Sequence, residues 1–569
     1  MKDNVQELQK LRHSAAHLLA HAVIELFPDT QLTIGPATET GFFYDFLPST
    51  NFKEEDLVAI SGRMQEIAER NLPLTHEAMP KQEARELYKN NPFKLELIDG
   101  IAGDHVGIAR QGDFYDLCKG GHVASTGALK NTALLNLSGS YWRAERTNQA
   151  LQRISGTAFA TAKELRVYLQ RREDALKYDH RKVGLQQELF SFHEEGPGFA
   201  FFHPKGTTVL NTLKNFLQKK LERLDYKEIK TPCMLSEELW KRSGHYQHYK
   251  DNMYFCTIDE KSYAIKPMNC PGSILIYQER PHSYRELPLK LAEFGLVHRY
   301  ELSGVLHGLL RVRSFTQDDG HIYCTPDQIE DVIFETIKLT YDILNAFDFE
   351  KITVAVSTKP TNAMGSDDLW DKATIALESA LKRANIEYKV QEGEGAFYGP
   401  KIEFGILDSM ERSWQCSTIQ VDFFQPENFD LSYVTSEGTK SRPVMIHRAI
   451  YGSFERFFAI LLEHYKGKLP FWLAPIQIKM LTITDEYKRY AHTIEKTLKD
   501  NGLRVAFDHS SDQISGKIKR AQIEQIPWML VIGQKEVENN TVTLRHRDGQ
   551  QEFGLTVDAV VEKARQENK

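Results

Sequence analysis

The sequence predicts a multidomain chain of mixed α/β and α+β architecture, and three observations carry that expectation. At 569 residues the chain is too long for one hydrophobic core. It opens on a long amphipathic helical pattern that leads into a mixed region. Its last hundred or so residues alternate short apolar runs with helical segments, the pattern of a parallel sheet. Charged residues make up 26% and hydrophobic residues 41%, as in ordinary globular proteins. No apolar run approaches the roughly 20 residues that span a membrane, and no secretory pattern stands at the start. Six cysteines lie singly at 118, 233, 256, 270, 324 and 416, which is no disulfide framework. They suit a reducing, cytoplasmic setting in which a cysteine is a ligand or a core residue. The net charge of −7 excludes a generally basic nucleic-acid binder, so an RNA partner would meet local patches such as "GKIKRAQ".

Taken in order, the first helix is expected from about Val5 to Leu26. Leu8, Leu11, Ala15, Leu18, Ala22 and Leu26 form its apolar stripe. At about 100° per residue, His13 and His17 of "RHSAAHLLAHA" fall opposite that stripe and face solvent or a cleft. Their spacing matches the zinc pair of a metalloprotease helix, but Ser14 stands where that motif has its glutamate. "IGPATETGFFYDF" then reads as a turn into a strand, and a mixed region runs to about residue 160. From Thr161 to Gly184 the pattern is a charged linker helix. A large α/β segment follows, and a new unit begins near "PFWLAPIQ". The expected divisions are therefore 1–160, 161–185, 186–470 and 471–569.

The central segment holds the residues suited to chemistry. Arg299, Glu301, Arg311, Arg313 and Phe315 form an inventory for a nucleotide: guanidinium forks for phosphate, an aromatic face for a base, a carboxylate for its amine. A charged surface strand would read the same way. No P-loop pattern occurs, so ATP would be held by other means. "PVMIHRAIYGSFERFFAIL" gives a strand, a turn and a helix with Glu455 and Arg456 near its start, where phosphate is also favoured. Cys270, His321 and His447 would make an acceptable zinc set with an open fourth position, yet no spacing rule selects them from 20 histidines and six cysteines.

"TPCMLSEELW", "HRYELSGVLHGLLRVRSFTQDDGHIYC" and "PVMIHRAIYGSFERF" resemble the three signature motifs of class II aminoacyl-tRNA synthetases. With "KPMNCPG", "GEGAFYGPKIEF" and "WQCSTIQVDF" the likeness narrows to the threonyl-tRNA synthetases, and "HSAAHLLAHA" and "DLCKGGH" are similar to their editing domain. It covers about residues 11 to 560. The resemblance implies an N-terminal editing domain, a helical linker, a class II catalytic domain built on an antiparallel sheet, and a C-terminal α/β anticodon-binding domain. It implies ATP-dependent ligation of L-threonine to tRNA(Thr) through threonyl-adenylate, with Mg²⁺ beside the ATP and hydrolysis of mischarged seryl-tRNA(Thr).

By the same match, Cys270, His321 and His447 would be zinc ligands, one ion per subunit. Met268, Asp319, Tyr398 and Gln420 would line the threonine pocket. Arg299 would meet the α-phosphate, Glu301 adenine, Arg311 the γ-phosphate side, Phe315 the base, Arg456 the other face of ATP, and Lys401 the reacting carboxylate. His13, His17, Tyr44, Lys94, Asp116, Cys118 and His122 would form a metal-free editing site, although the His and Cys residues are also a zinc-ligand set. Lys519, Glu536 and Arg545 would contact the anticodon, and Pro232 would lie at a homodimer interface.

Some positions depart from the family pattern. Only about ten residues precede the editing-type helix, which implies a form lacking the small N-terminal domain of bacterial relatives. Gly121 stands where Pro is usual, Ser273 where the family often has His, and Ser511 and Lys519 where Asn and Arg are common. Two further readings follow: a specialised, inhibitor-tolerant second copy signalled by Ser273, and a non-catalytic RNA-binding regulator on the same scaffold. Intact Arg299, Arg311 and Arg456, together with Cys270, His321 and His447, oppose the second.

Overall fold

A computed structural model describes residues 2–145, 147–349, 351–361, 363–407 and 412–568. The chain divides into two units, residues 1–173 and 174–569. In the first, α1 (Lys2–Leu26) is buried on most of its circumference between Leu11 and Val23. The apolar stripe faces a core with Phe42, Phe46, Ile60 and Ile154. His13 is half-buried and His17 is 4% exposed, so this face lines a cavity rather than meeting open solvent. Strands β1 (Gln31–Leu32) and β2 (Phe42–Leu47) join two later ones in an antiparallel sheet. A second sheet begins with β3 (Leu74–Pro80). It is followed by α2 (Pro92–Gly100), which starts on proline with the Asn91 side chain capping Lys94 N at 3.1 Å. Strands β4 (His105–Gln111) and β5 (Phe114–Leu117) complete that sheet as a hairpin. Strands β6 (Thr132–Tyr141) and β7 (Ala150–Ala158) close the first, in the order β1-β2-β7-β6.

The expected linker helix is two helices. α3 (Ala162–Lys177) buries no residue, and α4 (His180–Gln186) starts anew because Asp179 caps Arg181 N at 2.8 Å. The catalytic-type sheet is built from β8 (Lys227–Glu228), β9 (Leu289–His298), β10 (Ser314–Cys324), β11 (Ile352–Ser357), β12 (Lys389–Gln391), β13 (Lys401–Leu407), β14 (Ser413–Asp422) and β15 (Val444–Ala449). Their order is β8-β9-β10-β15-β14-β13-β11-β12. The six inner strands pair antiparallel, as the class II pattern implies, and only the short edge strands β8 and β12 pair parallel. α5 (Phe454–His464), capped by Ser453, packs its aromatic and aliphatic residues into the core beside this sheet. Between β8 and β9, the helix Cys270–Gln278 begins on the cysteine itself.

The C-terminal sheet runs β17-β16-β18-β19-β20, from β16 (Ile478–Thr482), β17 (Val505–Phe507), β18 (Trp528–Ile532), β19 (Val542–His546) and β20 (Gln551–Leu555). The three strands read from apolar runs are parallel, as expected. β19 and β20 add an antiparallel edge that the sequence reading did not include, because "TVTLRHRDG" carries too many polar residues to read as buried strand.

One backbone position governs how β10 and β15 lie together. A Cβ on Gly320 would fall 2.4 Å from Arg448 Nε, whose side chain crosses that point fully buried. Gly320→Ala should therefore cost about 1–3 kcal/mol in a denaturant titration. A variant as stable as its parent would contradict the close crossing.

Candidate functional site

Two clefts hold the chemistry, one in each unit. The central cleft, about 350 Å³, opens over β10, β14 and β15. Register alone brings its deepest residues together: His447 on β15 lies directly opposite His321 on β10 and Gln420 on β14. Cys270, at its helix start, completes a trio whose ligand atoms all lie within 4.8 Å of one another. His447 is held at Nε2 by Asp422 Oδ2 (2.9 Å), the carboxylate support that metal-binding histidines commonly have. Both ring nitrogens of His321 are buried with no hydrogen-bond partner, a costly state that a metal ion bound at one of them would partly relieve. Burial pushes His321 well below its ordinary value, so it is the neutral imidazole a metal requires. Burial likewise pushes the Cys270 thiol up, and a bound cation would take that proton's place. The residues fit zinc.

Around the trio stand the four pocket residues read from the sequence. Asp319 accepts from Asn269 Nδ2 at 3.1 Å, and Gln420 Nε2 donates to Gly399 O at 2.9 Å. Met268 Sδ lies 3.1 Å from His245 Nε2, and Tyr398 is packed edge-on to Phe397. His245 and Asn269 escaped the sequence reading. Asn269 sits beside Cys270 in the chain, but its tie to Asp319 on β10 is non-local, and His245, 25 residues before Cys270, brings Nε2 within 3.8 Å of its Sγ.

The outer half of the same cleft carries the cations. The Arg299 guanidinium donates to Pro267 O and lies 5.1 Å from the Phe315 ring centre. Arg311 faces Glu301 at 3.5 Å, Lys401 pairs with Glu403 at 2.7 Å, and Arg456 Nε donates to Leu310 O at 3.0 Å. Arg313, counted in the nucleotide inventory, does not face this cleft. Its guanidinium donates to Glu301 O, Pro197 O and Ser303 Oγ, and holds the loop from behind.

In the first unit a cavity of about 950 Å³ is walled by α1, α2 and the β4–β5 hairpin. Cys118 Sγ sits 3.3 Å from His13 Nε2, 3.3 Å from His17 Nε2 and 3.2 Å from His122 Nε2. Behind it, Asp116 takes hydrogen bonds from His17 Nδ1 (3.0 Å), Tyr44 OH (2.7 Å) and the Lys94 ammonium. All seven residues read from the sequence thus share one network. Gly120 and Gly121 turn the loop at φ +93° and +87°, a conformation a proline at either position cannot take. Ligand-wise the cluster differs from the central trio: here the ring nitrogens that face the sulfur are already engaged.

Electrostatics follow from this geometry. Burial disfavours charge, but hydrogen bonds from His122, His13 and His17 outweigh it and hold the Cys118 thiol down at about 3. Burial also opposes the charged ring of His17, yet bonds to Asp116 and Cys118 push it up to about 9. At neutral pH the core of the cluster is therefore a carboxylate, an imidazolium and a thiolate in a row.

Of the C-terminal residues, Lys519 is exposed on the helix Ile514–Ile523. Glu536 accepts from Gly533 N (2.9 Å) and Thr543 Oγ1 (2.8 Å), and Arg545 lies on β19 with Nε buried and unbonded.

Because a depressed thiol is ionised throughout the accessible range, alkylation of Cys118 by iodoacetamide should change by less than about threefold between pH 5.5 and 7.5. An unshifted thiol would speed up about a hundredfold over the same interval, and that result, read by peptide mass spectrometry, would contradict the assignment.

Comparison with known proteins identifies the family. Residues 254–465 match the model of the tRNA synthetase class II core domain (G, H, P, S and T). Residues 472–567 match the anticodon binding domain, and 106–155 match the threonyl and alanyl tRNA synthetase second additional domain. The threonine–tRNA ligase of Clostridium tetani is 50% identical over 548 residues, 96% of this chain and 86% of that protein. That of Carboxydothermus hydrogenoformans is 49% identical over 562 residues, 98% and 88%. Among solved structures, the RNA binding domain of threonyl-tRNA synthetase from Cryptosporidium parvum superposes with a TM-score of 0.67 at 42% identity, covering 68% of this chain and 98% of that one. Prolyl-tRNA synthetase from the same organism shares the fold at 15% identity, TM-score 0.54, over 68% and 76%. On these grounds the chain belongs to the threonyl-tRNA synthetases, the threonine–tRNA ligases of class II.

Proposed function

We propose that the central cleft makes threonyl-adenylate from threonine and ATP and charges tRNA(Thr), while the N-terminal cavity hydrolyses seryl-tRNA(Thr). The observation that carries the first half is the orphaned, fully buried His321 facing His447 and Cys270. These three would hold a zinc ion, which when bound supplies an open position for an amino group and a hydroxyl together. Asp319, fixed by Asn269, then accepts from the substrate hydroxyl. Valine would leave that carboxylate unpaired, which costs far more than a lost methyl contact. Serine satisfies the same groups and loses only about 1–3 kcal/mol for its missing methyl.

In the outer half, Arg299 receives the α-phosphate, Glu301 the adenine amine, Phe315 the base face, Arg311 the γ-phosphate side and Arg456 the opposite face. Mg²⁺ arrives with the ATP. Lys401 draws the threonine carboxylate toward the α-phosphorus, and in-line displacement expels pyrophosphate. Positioning and fixed charge supply the rate.

Serine's escape calls for a second sieve. Lys94 and Tyr44 fix Asp116, Asp116 fixes His17, and the cluster holds a water against the seryl ester in a metal-free pocket. Lys519, Glu536 and Arg545 of the C-terminal domain meet the anticodon, with Lys519 lacking the fork of an arginine. The domain division remains 1–160, 161–185, 186–470 and 471–569. The active form is a cytoplasmic homodimer joined near Pro232. No helix among the described residues is long and apolar enough to cross a membrane. A regulator without catalysis has no use for the buried trio, and Ser273, whose hydroxyl bonds Tyr323 OH at 3.0 Å, removes no ligand. Neither alternative is favoured.

Purified protein should carry about one zinc per subunit and support threonine-dependent ATP–pyrophosphate exchange, with valine at least about a hundredfold weaker. Cys270→Ser should lose the metal and lower exchange by about a hundredfold or more. Full exchange in the metal-free variant would sink the assignment.

A further inference from the structure

One buried histidine outside both clefts has its two ring nitrogens divided between the wall of the nucleotide site and the far end of the helix that carries Arg456. His180, at the start of α4, is fully buried. Its Nδ1 meets Glu463 Oε1 at 2.8 Å, near the end of α5. Its Nε2 accepts the Leu309 N–H at 3.1 Å. That pair of bonds fixes the tautomer, with the proton on Nδ1 and the lone pair on Nε2. It also removes the residue from metal chemistry, although Asp179, His180 and Glu463 form a ligand-type cluster, because neither nitrogen is left to coordinate.

The segment His180 grips is the inner wall of the cleft. Leu309, Leu310 and Arg311 line it, and Leu310 O accepts Arg456 Nε at 3.0 Å. Arg456 stands in the first turn of α5 and Glu463 in its last. Two consecutive residues of the loop are thus tied to opposite ends of one helix, Leu310 directly and Leu309 through His180. A second observation marks the contact as tight. Gly308 has φ +49°, and a Cβ there would lie 2.1 Å from His180 Nε2. The loop can approach the ring only because it turns on glycine.

We propose that His180 is a positioning residue for ATP: by holding the Leu309 amide against α5 it sets where Arg311 and Arg456 meet the polyphosphate. The inference rests on the reading of the outer cleft as the ATP site. The side chain touches no substrate and acts only through the loop. Removing the acceptor frees Leu309 N–H and lets the wall drift, which weakens nucleotide binding and leaves the threonine end, built on β10, β14 and β15, in place.

Threonine-dependent ATP–pyrophosphate exchange on the full chain separates this role from a merely structural one. His180→Ala should raise KM for ATP by about ten- to a hundredfold, with KM for threonine within about twofold. His180→Gln, whose amide oxygen can accept from Leu309 N–H, should recover most of the ATP KM. His180→Asn, which can restore only the bond to Glu463, should not. Gly308→Ala should show the same ATP-selective defect with His180 intact, which keeps the test available if His180→Ala fails to fold. Equal rescue by Asn and Gln, or a folded Ala variant with unchanged KM for ATP, would overturn the proposal. An unmutated protein with no exchange would overturn the cleft reading itself, a result distinguishable from both.

Discussion

The architecture of the central cleft hangs on a buried ion pair. Asp318 and Arg448, both side chains inaccessible to solvent, sit 3.5 Å apart on neighbouring strands, and Arg448 also donates to Asp318 O at 2.7 Å. Asp318 further accepts the amides of Ile450 and Gly452, which fixes the turn from β15 into α5. Such a pair adds little net stability over an apolar packing, but losing one partner costs about 3–5 kcal/mol because a charge is left stranded. What it supplies is register. A slip of one residue between β10 and β15 would send His321 and His447 to opposite faces and bury the wrong residues in the cleft. Gly320 is the steric counterpart of the same constraint, since only a residue without Cβ lets Arg448 cross.

The two Cys–His groups among the described residues show how one set of residue types can be arranged in two ways. In the central cleft the trio is buried and under-satisfied, with no hydrogen-bond partner at either nitrogen of His321. In the N-terminal cavity the three imidazoles already spend their Nε2 atoms on the Cys118 sulfur, and Asp116 anchors the middle one. A site that lacks internal partners is prepared for a cation. In the proposed reading, a site whose charges are internally paired orients a seryl ester and a water. This division matches what discrimination demands: a hydroxyl-reading sieve cannot reject serine, so rejection must be a separate hydrolytic event.

Much of this was legible in the sequence, and unevenly. The i, i+4 pair His13 and His17 could be read as a shared helix face from spacing alone; the position opposite the stripe left solvent or a cleft open, and the fold supplies the cleft. Cys118 and His122 could be joined to them only through the family resemblance, because a sheet hairpin from a distant part of the chain delivers them. Cys270, His321 and His447 have no local spacing; strand register brings the two histidines together and a helix start delivers Cys270, non-local placements that periodicity does not encode. His180, His245, Asn269 and Asp422 gave no signal, since each acts on a neighbour supplied by another element. Arg313 misled for the opposite reason: its residue type and alternation fit a phosphate ligand, but backbone carbonyls behind the loop had claimed its donors. The antiparallel edge of the C-terminal sheet was hidden because the buried Val542, Thr543 and Leu544 of β19 run straight into basic residues, and β20 is largely exposed.

The central claim is that one chain selects threonine twice, by different chemistry in separate clefts. The most direct test is to charge tRNA(Thr) with purified protein and either threonine or serine, using the unmutated chain and a His13→Ala, His17→Ala double variant. Stable threonyl-tRNA from both proteins, with seryl-tRNA accumulating only in the variant, is the outcome this account predicts. Seryl-tRNA accumulating in the unmutated protein as readily as in the variant would contradict it.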